Sequence, residues 1–292
     1  MAKSALIKSS LAKKYWMAFT GLFLCLFLVG HLLGNLQLFE EDPTKFNQYA
    51  KFMTTNPVVK LLSYLVYISL IFHAIDGIIL TVQNRAARPV KYAKNTPGAN
   101  SSFASRNMAV LGTIILVFLV THMTNFWAKM HFSQMPIQIT SITDVYGNEK
   151  EAYLTDEGEI LVDQVAPSYE EGKKQFSRVV QYYKDGTGIY LTRKKGKLIA
   201  TGLKDLHKIT IDLFKSKKQM MGLPEGLIFT LFYVISMVVL AFHLWHGFQS
   251  AFQSMGINNS KWNNKIKLSG KLFSIVVPLL FAVIPIYIHL FK

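Results

Sequence analysis

The sequence predicts an all-α membrane protein with five transmembrane helices and an extramembrane insertion between the third and the fourth. Three observations predict it. Apolar residues make up 51% of the 292-residue chain and gather into five runs, near 16–39, 58–82, 107–128, 222–250 and 268–290. Clusters of basic residues mark one side of the succession of runs. A long polar stretch, 129–221, holds most of the acidic residues. Each run has about 20 residues or more, enough at ~1.5 Å per residue to cross a hydrocarbon core of about 30 Å. Five soluble buried helices of that length would be unusual. The organisation expected is 1–128 for helices one to three, 129–221 for the insertion and 222–292 for helices four and five.

The first run follows Lys3, Lys8, Lys13 and Lys14, the charge pattern of a signal peptide. Its apolar stretch exceeds a usual signal core, however, and ends in Asn35-Leu36-Gln37-Leu38-Phe39-Glu40 without a small-x-small cleavage site. An uncleaved first helix is expected. The lone cysteine, Cys25, lies inside it, so this chain holds neither an intrachain disulfide nor a four-cysteine iron–sulfur or zinc site.

The net charge of +15 is distributed as membrane topology rather than as a nucleic-acid surface. The N-terminal lysines have no acidic neighbour. The second connection carries Arg85, Arg88, Lys91, Lys94 and Arg106, again with no acid, and the fourth carries Lys261, Lys265, Lys267 and Lys271. These segments share one side if the helices alternate. The first connection sets Glu40, Glu41 and Asp42 against Lys45, Lys51 and Lys60. The positive-inside rule then places the N-terminus in the cytoplasm and the C-terminus outside. The third connection is also outside; with 15 basic and 12 acidic residues it carries little topological weight.

Within 129–221 an acidic part, Glu149 to Glu171, precedes a basic part, Arg193 to Lys218. Short pieces such as Thr187-Gly188-Ile189-Tyr190-Leu191 have strand character between turns. Residues 203–214 place apolar side chains at helical spacing and predict a short surface helix, with His207 a surface residue on it. The segment contains no nucleotide loop, no His-Glu-x-x-His pattern and no nucleophile motif. The expectation is a folded cap on the outer side.

Four histidines, His31, His73, His122 and His243, each sit in a different apolar run. An imidazole in hydrocarbon needs a partner or a ligand, and four are the number that hold two haems by both faces. A b-type haem needs axial nitrogens and no Cys-x-x-Cys-His attachment, which this chain lacks. Closed axial positions suit electron transfer rather than oxygen binding. A flat porphyrin between helices also requires small residues. Gly77 and Gly247 follow His73 and His243 by four positions on the same helix face, and Gly30 and Gly34 flank His31. The bland alternative is a polar contact within the bundle for each histidine, and glycines that serve ordinary packing.

Depth separates the two readings. His31 lies 17 residues beyond Lys14 and His122 lies 16 beyond Arg106, about 25 Å toward the outer surface. His73 precedes Arg85 by 12 residues, about 18 Å from the inner boundary, and His243 lies well along the inward-running fourth helix. His31 with His122 is the expected outer pair, and His73 with His243 the inner pair. His246 is an alternative ligand one turn from His243. His131 and His289 are candidates for interfacial or quinone-proximal roles. Asp76, three residues after His73, is a buried carboxylate suited to pairing or to proton relay.

The chain resembles the single-chain, five-helix diheme cytochrome b membrane subunit of succinate dehydrogenase and fumarate reductase complexes. The resemblance rests on Lys14-Tyr15-Trp16-Met17-Ala18-Phe19-Thr20-Gly21 leading to Gly30-His31-Leu32-Leu33-Gly34-Asn35, and on His73-Ala74-Ile75-Asp76-Gly77. It rests also on Thr121-His122, and on Phe242-His243-Leu244-Trp245-His246-Gly247 running to Gly256. It covers all five helices and leaves out most of 129–221. It implies a four-helix diheme-binding bundle with two haem b groups on His31, His73, His122 and His243, and it favours His243 over His246. It implies a flavoprotein subunit and an iron–sulfur subunit on the cytoplasmic face of a bacterial inner membrane. Those partners would carry the FAD, the iron–sulfur clusters and the dicarboxylate site.

The resemblance implies menaquinone as substrate, with Lys45, Gln48, Tyr49 and Lys51 candidates near the outer haem. It makes Arg85, Arg88 and Arg106 docking or propionate-neutralising groups. Where some relatives carry a glutamate two residues before the fourth-helix ligand, this chain has Ala241, so that proton route is not expected. Competing functions are a diheme subunit of another membrane dehydrogenase and, from a different class, a proton-coupled transporter using buried His and Asp76.

Overall fold

The computed structural model of the chain describes residues 10–87, 89–90, 96, 99, 101–143, 146–162, 165–170, 173–178, 183–185, 188–191, 197–257 and 259–292. Lys3, Lys8, Arg88, Lys91, Lys94, Glu171, Thr187 and Arg193 lie outside the described residues. The described chain is mostly helical. It holds five helices long and apolar enough to span a membrane: Leu11–Phe39, Pro57–Ala86, Met108–Phe132, Glu225–Ser254 and Asn263–Phe291. Their large apolar side chains point outward, with Leu26 68%, Val82 61% and Val120 62% exposed. That is the surface of a chain whose solvent is lipid rather than water.

In chain order the helices are α1 (Ser10–Asn35, continued by a tight turn Leu36–Phe39), α2 (Thr44–Thr55), α3 (Pro57–Ala86), α4 (Phe103–Arg106) and α5 (Met108–Met123). There follow α6 (Lys129–Phe132), α7 (Leu206–Lys215), α8 (Glu225–Ser254) and α9 (Asn263–Phe291). The third span is α5, a π-helical turn Thr124–Ala128, and α6 in succession. The spanning helices overrun the apolar runs. α9 starts at Asn263 because Lys265, Lys267 and Lys271 continue the helix into the interface, where apolarity is no longer required. The α2–α3 junction is set by proline. Asn56 is extended (ψ 126°) ahead of Pro57, as the proline ring demands of its predecessor, and Pro57 then opens α3 where no amide donor is needed. Gly256, at φ 75°, ends α8 in the left-handed conformation that glycine adopts without penalty.

The described residues form two compact units. The first comprises the chain to Leu36, Pro57–Thr121 and Phe214–Lys292. In it α1 packs against α3, α8 and α9, and α8 packs most extensively on α9. The α9 face toward α8 carries Gly270, Ser274, Val277 and Pro278, and a Cβ at Gly270 would stand 2.9 Å from Phe248 Cδ1. At the start of α8, a Cβ at Gly226 would collide with the Phe214 carbonyl.

The second unit joins Gln37–Asn56 to His122–Leu213. Sequence reasoning separated the first connection from the 129–221 insertion; the structure folds both into one body. Its strands are antiparallel: β1 (Ile139–Thr143), β2 (Glu149–Leu154) and β3 (Ile160–Val162) form one sheet, and β4 (Val165–Glu170) pairs β5 (Lys173–Arg178). A further sheet is β6 (Tyr183–Asp185), β7 (Gly188–Leu191) and β8 (Lys197–Thr201). In the first unit a two-stranded ribbon, β9 (Gln219–Met220) with β10 (Leu223–Pro224), precedes α8. The core of the second unit centres on Ile137, Ala152 and Leu203, each at most 2% exposed. Gly202 admits Ile137 where a Cβ would stand 2.5 Å from its Cγ2.

A polar node pins α2 to this core. Asn47, 1% exposed, donates from Nδ2 to Gln138 Oε1 and to Asp205 Oδ1, both at 2.9 Å. Its Oδ1 accepts the His207 amide at 2.9 Å. Gln138 in turn donates to the Thr44 hydroxyl at 2.8 Å. His207 is therefore not the surface residue expected: its Nε2 is buried and its ring meets Phe46 edge-on at 6.2 Å. The helical spacing of 203–214 located the helix correctly, but burial of this position is decided by Asn47, some 160 residues away in sequence.

Two outcomes follow from this packing. Asn47→Ala takes from Gln138 Oε1 its Asn47 donor, at about 1–3 kcal/mol, and leaves Asp205 Oδ1 with the Lys208 amide alone. Protease cleavage within 129–213 should accelerate at least about fivefold, and unchanged cleavage would reject the node as a tether. Asp42 Oδ1 accepts the Thr44 hydroxyl and amide at 2.6 and 2.9 Å, and these bonds hold its carboxyl below the ordinary range. A depressed carboxylate stabilises fully above its unfolded pKa of about 3.9 and loses that contribution as pH falls through the folded value. The Tm difference between wild type and Asp42→Asn should thus be constant near pH 6 and shrink below about pH 4.

Candidate functional site

Among the sequence-selected histidines, the first unit brings two together. His73 on α3 and His243 on α8 face one another with ring centroids 6.2 Å apart and planes inclined at 64°. A metal–imidazole bond is about 2 Å and a five-membered ring's centre lies about 1.1 Å from its nitrogen, so two imidazoles trans on one iron have centroids about 6 Å apart. The observed separation fits that arrangement. The inclination is compatible with it, because both rings can contain the common axis at any mutual rotation.

Each ring has a glycine against it on a neighbouring helix. A Cβ at Gly21 of α1 would lie 3.1 Å from His73 Cε1, and one at Gly112 of α5 would lie 3.8 Å from His243 Cε1. The α1 contact also sets the protonation of His73. Thr20, 1% exposed, has its single hydroxyl proton engaged by the Trp16 carbonyl at 2.9 Å. Its oxygen therefore faces His73 Nδ1, at 3.4 Å, as an acceptor. With that acceptor beside Nδ1, Nε2 is the ring nitrogen left for another partner. On the other side, His243 Nδ1 is buried without a hydrogen-bond partner among the described residues. An imidazole so placed in hydrocarbon is costly unless the ring is held by another bond.

The remaining histidines are placed differently. His31 lies in the first unit, stacked on Phe27 at 5.3 Å and tilted against Phe281 at 5.6 Å. Asn35 donates to the His31 backbone carbonyl at 2.7 Å, and its 3.5 Å approach to Nδ1 is too long to set the tautomer. His122 belongs to the second unit and packs on Phe126 at 5.2 Å, within the π-helical turn that follows it. His131 lies over Trp127 at 4.7 Å with Nδ1 2.8 Å from the Trp127 carbonyl. His289 Nδ1 donates to the Phe214 carbonyl at 2.7 Å. Asp76 is buried, at 9% exposure, one turn beyond His73.

The proposed small-residue positions behave unequally. A Cβ at Gly30 or Gly247 would meet nothing within 4 Å, and one at Gly77 only Met17 Cε at 3.9 Å. The glycines that touch the imidazoles are Gly21 and Gly112. Same-helix spacing could not find Gly112, because its partner sits on another helix. The candidate quinone residues Lys45, Gln48, Tyr49 and Lys51 all lie on α2 in the second unit. Lys45 pairs with Glu40 at 2.8 Å, and Lys51 bonds the Asp156 carbonyl.

No family model, curated protein or solved structure matches the chain.

The glycine contacts can be tested directly. Gly21→Val should force the His73 ring aside and lower stability by about 1–3 kcal/mol, as overpacking does. Gly30→Val, with open space around it, should stay within about 0.5 kcal/mol of wild type. Thermal unfolding in detergent compares the two, and equal losses would remove Gly21 from the site.

Proposed function

We propose that this chain is the diheme membrane subunit that carries electrons between a cytoplasmic succinate/fumarate catalytic unit and menaquinone. His73 and His243 would hold the inner haem b, and His31 and His122 the outer one. The observation that carries the reading is the 6.2 Å approach of the His73 and His243 rings, on two helices long and apolar enough to span a membrane. The sequence resemblance supplies the identity of the partners: a flavoprotein subunit with FAD and an iron–sulfur subunit, docked on the cytoplasmic face.

A haem held by these histidines would supply one-electron carriage. The residues of the chain do the rest. Thr20 offers its hydroxyl oxygen to His73 Nδ1, which would leave Nε2 for the haem. Gly21 and Gly112 let α1 and α5 close behind the two rings. The apolar walls exclude water, which favours electron passage over side reactions. Quinone reduction consumes two protons as well as two electrons, so its site needs a polar route that a haem ligand does not provide. The second unit carries the titratable candidates for it, Lys45, Tyr49 and Lys51.

Substituting His243 by Ala should remove one of two b-type haems, while His246→Ala retains both. Pyridine haemochrome quantitation and EPR of the purified complex read the result, and the reverse pattern rejects the ligand assignment. A reduced-minus-oxidised spectrum without a b-type band would reject the electron-carrier reading as a whole. Co-purification of a flavoprotein and an iron–sulfur chain distinguishes a succinate/fumarate complex from another membrane dehydrogenase.

A further inference from the structure

A cleft of about 490 Å³ opens at the inner ends of α3 and α5, lined by Asn84, Arg85, Ser105, Arg106, Met108 and Ala109. Two guanidinium groups from separate helices border one cavity. Between Asp76 and Asp144 there is no Asp or Glu, and none precedes Glu40 or follows Glu225. Arg106 is steadied by the neutral Ser101 carbonyl. Arginine forks match phosphate oxygens, and Asn84 and Ser105 add neutral hydrogen-bonding groups beside them. Met108 and Ala109 at the start of α5 add an apolar wall, and Thr81 adds a further hydroxyl.

We infer that this cleft is a binding site for the phosphodiester headgroup of an anionic glycerophospholipid. Arg85 lies in the last turn of a spanning helix and Arg106 two residues before another, which is headgroup level. Basic pockets between spanning helices at that level recruit anionic lipid. The volume admits more than ten water-sized groups at about 30 Å³ each, well beyond one inorganic phosphate. The apolar wall suits the glycerol and first methylenes that follow the phosphate. The site rests on α3, α4 and the start of α5 and stands whether or not the histidines hold haem.

The test uses the full-length chain, purified in mild detergent, delipidated and titrated with phosphatidylglycerol in mixed micelles while native mass spectrometry counts retained lipid. Wild type should retain one phosphatidylglycerol, with phosphatidylcholine and inorganic phosphate failing to displace it. Arg85→Gln/Arg106→Gln should weaken retention at least tenfold. Ala109→Trp, which fills the apolar wall and keeps both charges, should weaken it as well. Equal retention by wild type and both variants overturns the proposal. So does displacement by inorganic phosphate at equal concentration, which would make the cleft a free-anion site. Loss of b-type absorbance or of a soluble partner chain in the double variant, with lipid retention unchanged, also overturns it, since the arginines would then serve those instead. If the double variant does not fold, unchanged phosphatidylglycerol affinity in Ala109→Trp is sufficient to reject the site.

Discussion

A polar ring inside a membrane-spanning helix has no water to fall back on, and much of the first unit can be understood as the consequence. An imidazole left unsatisfied in hydrocarbon costs several kcal/mol. His73 answers with a threonine on α1 whose proton is already committed to Trp16. His243 turns a buried nitrogen toward no partner among the described residues and sets its ring against His73. These contacts require close helix approach, so a glycine lies against each ring, and α1 becomes the helix that touches α3, α8 and α9. The proposed haem would complete this arrangement by taking the two lone pairs that the hydrogen-bond pattern leaves available.

The second unit solves the opposite problem with ordinary means. In water, exposed polar groups are cheap, and what must be satisfied is the polar group taken inside. Asn47 does this with three hydrogen bonds from one side chain, joining α2 to segments distant in sequence. The same unit contains most of the carboxylates, from Glu40 to Asp42 and from Asp144 to Asp212. Segments 1–39, 77–143 and 226–292 contain none. This segregation bears on more than topology. It puts the basic residues at the helix ends in segments without carboxylates, and the proposed headgroup cleft lies among them.

Much of this was legible from residues in order. Five apolar runs predicted five spanning helices, because crossing about 30 Å of hydrocarbon imposes a length and a composition that no local exception relaxes. Their ends were misjudged by up to five or so residues, as at Asn263, since helices continue past the apolar core. Counting turns from flanking charges singled out His73 and His243 as neighbours in depth. The glycine that backs His243 was illegible, because Gly112 and its imidazole are related only by helix packing. His207 was taken for a surface residue, since amphipathic spacing reports which face is apolar and not which polar atom another segment will cover.

The sequence by itself determined the number of spanning helices, the separation of charge and the identity of the histidines carried in them. These are properties of single segments, set by their own hydrophobicity and charge. Only the tertiary structure decided that α2 shares a body with 122–213, that Thr20 faces His73, and that Arg85 and Arg106 border one cleft. Each of those joins side chains from separate segments, and distance in space between segments is not encoded in the composition of either.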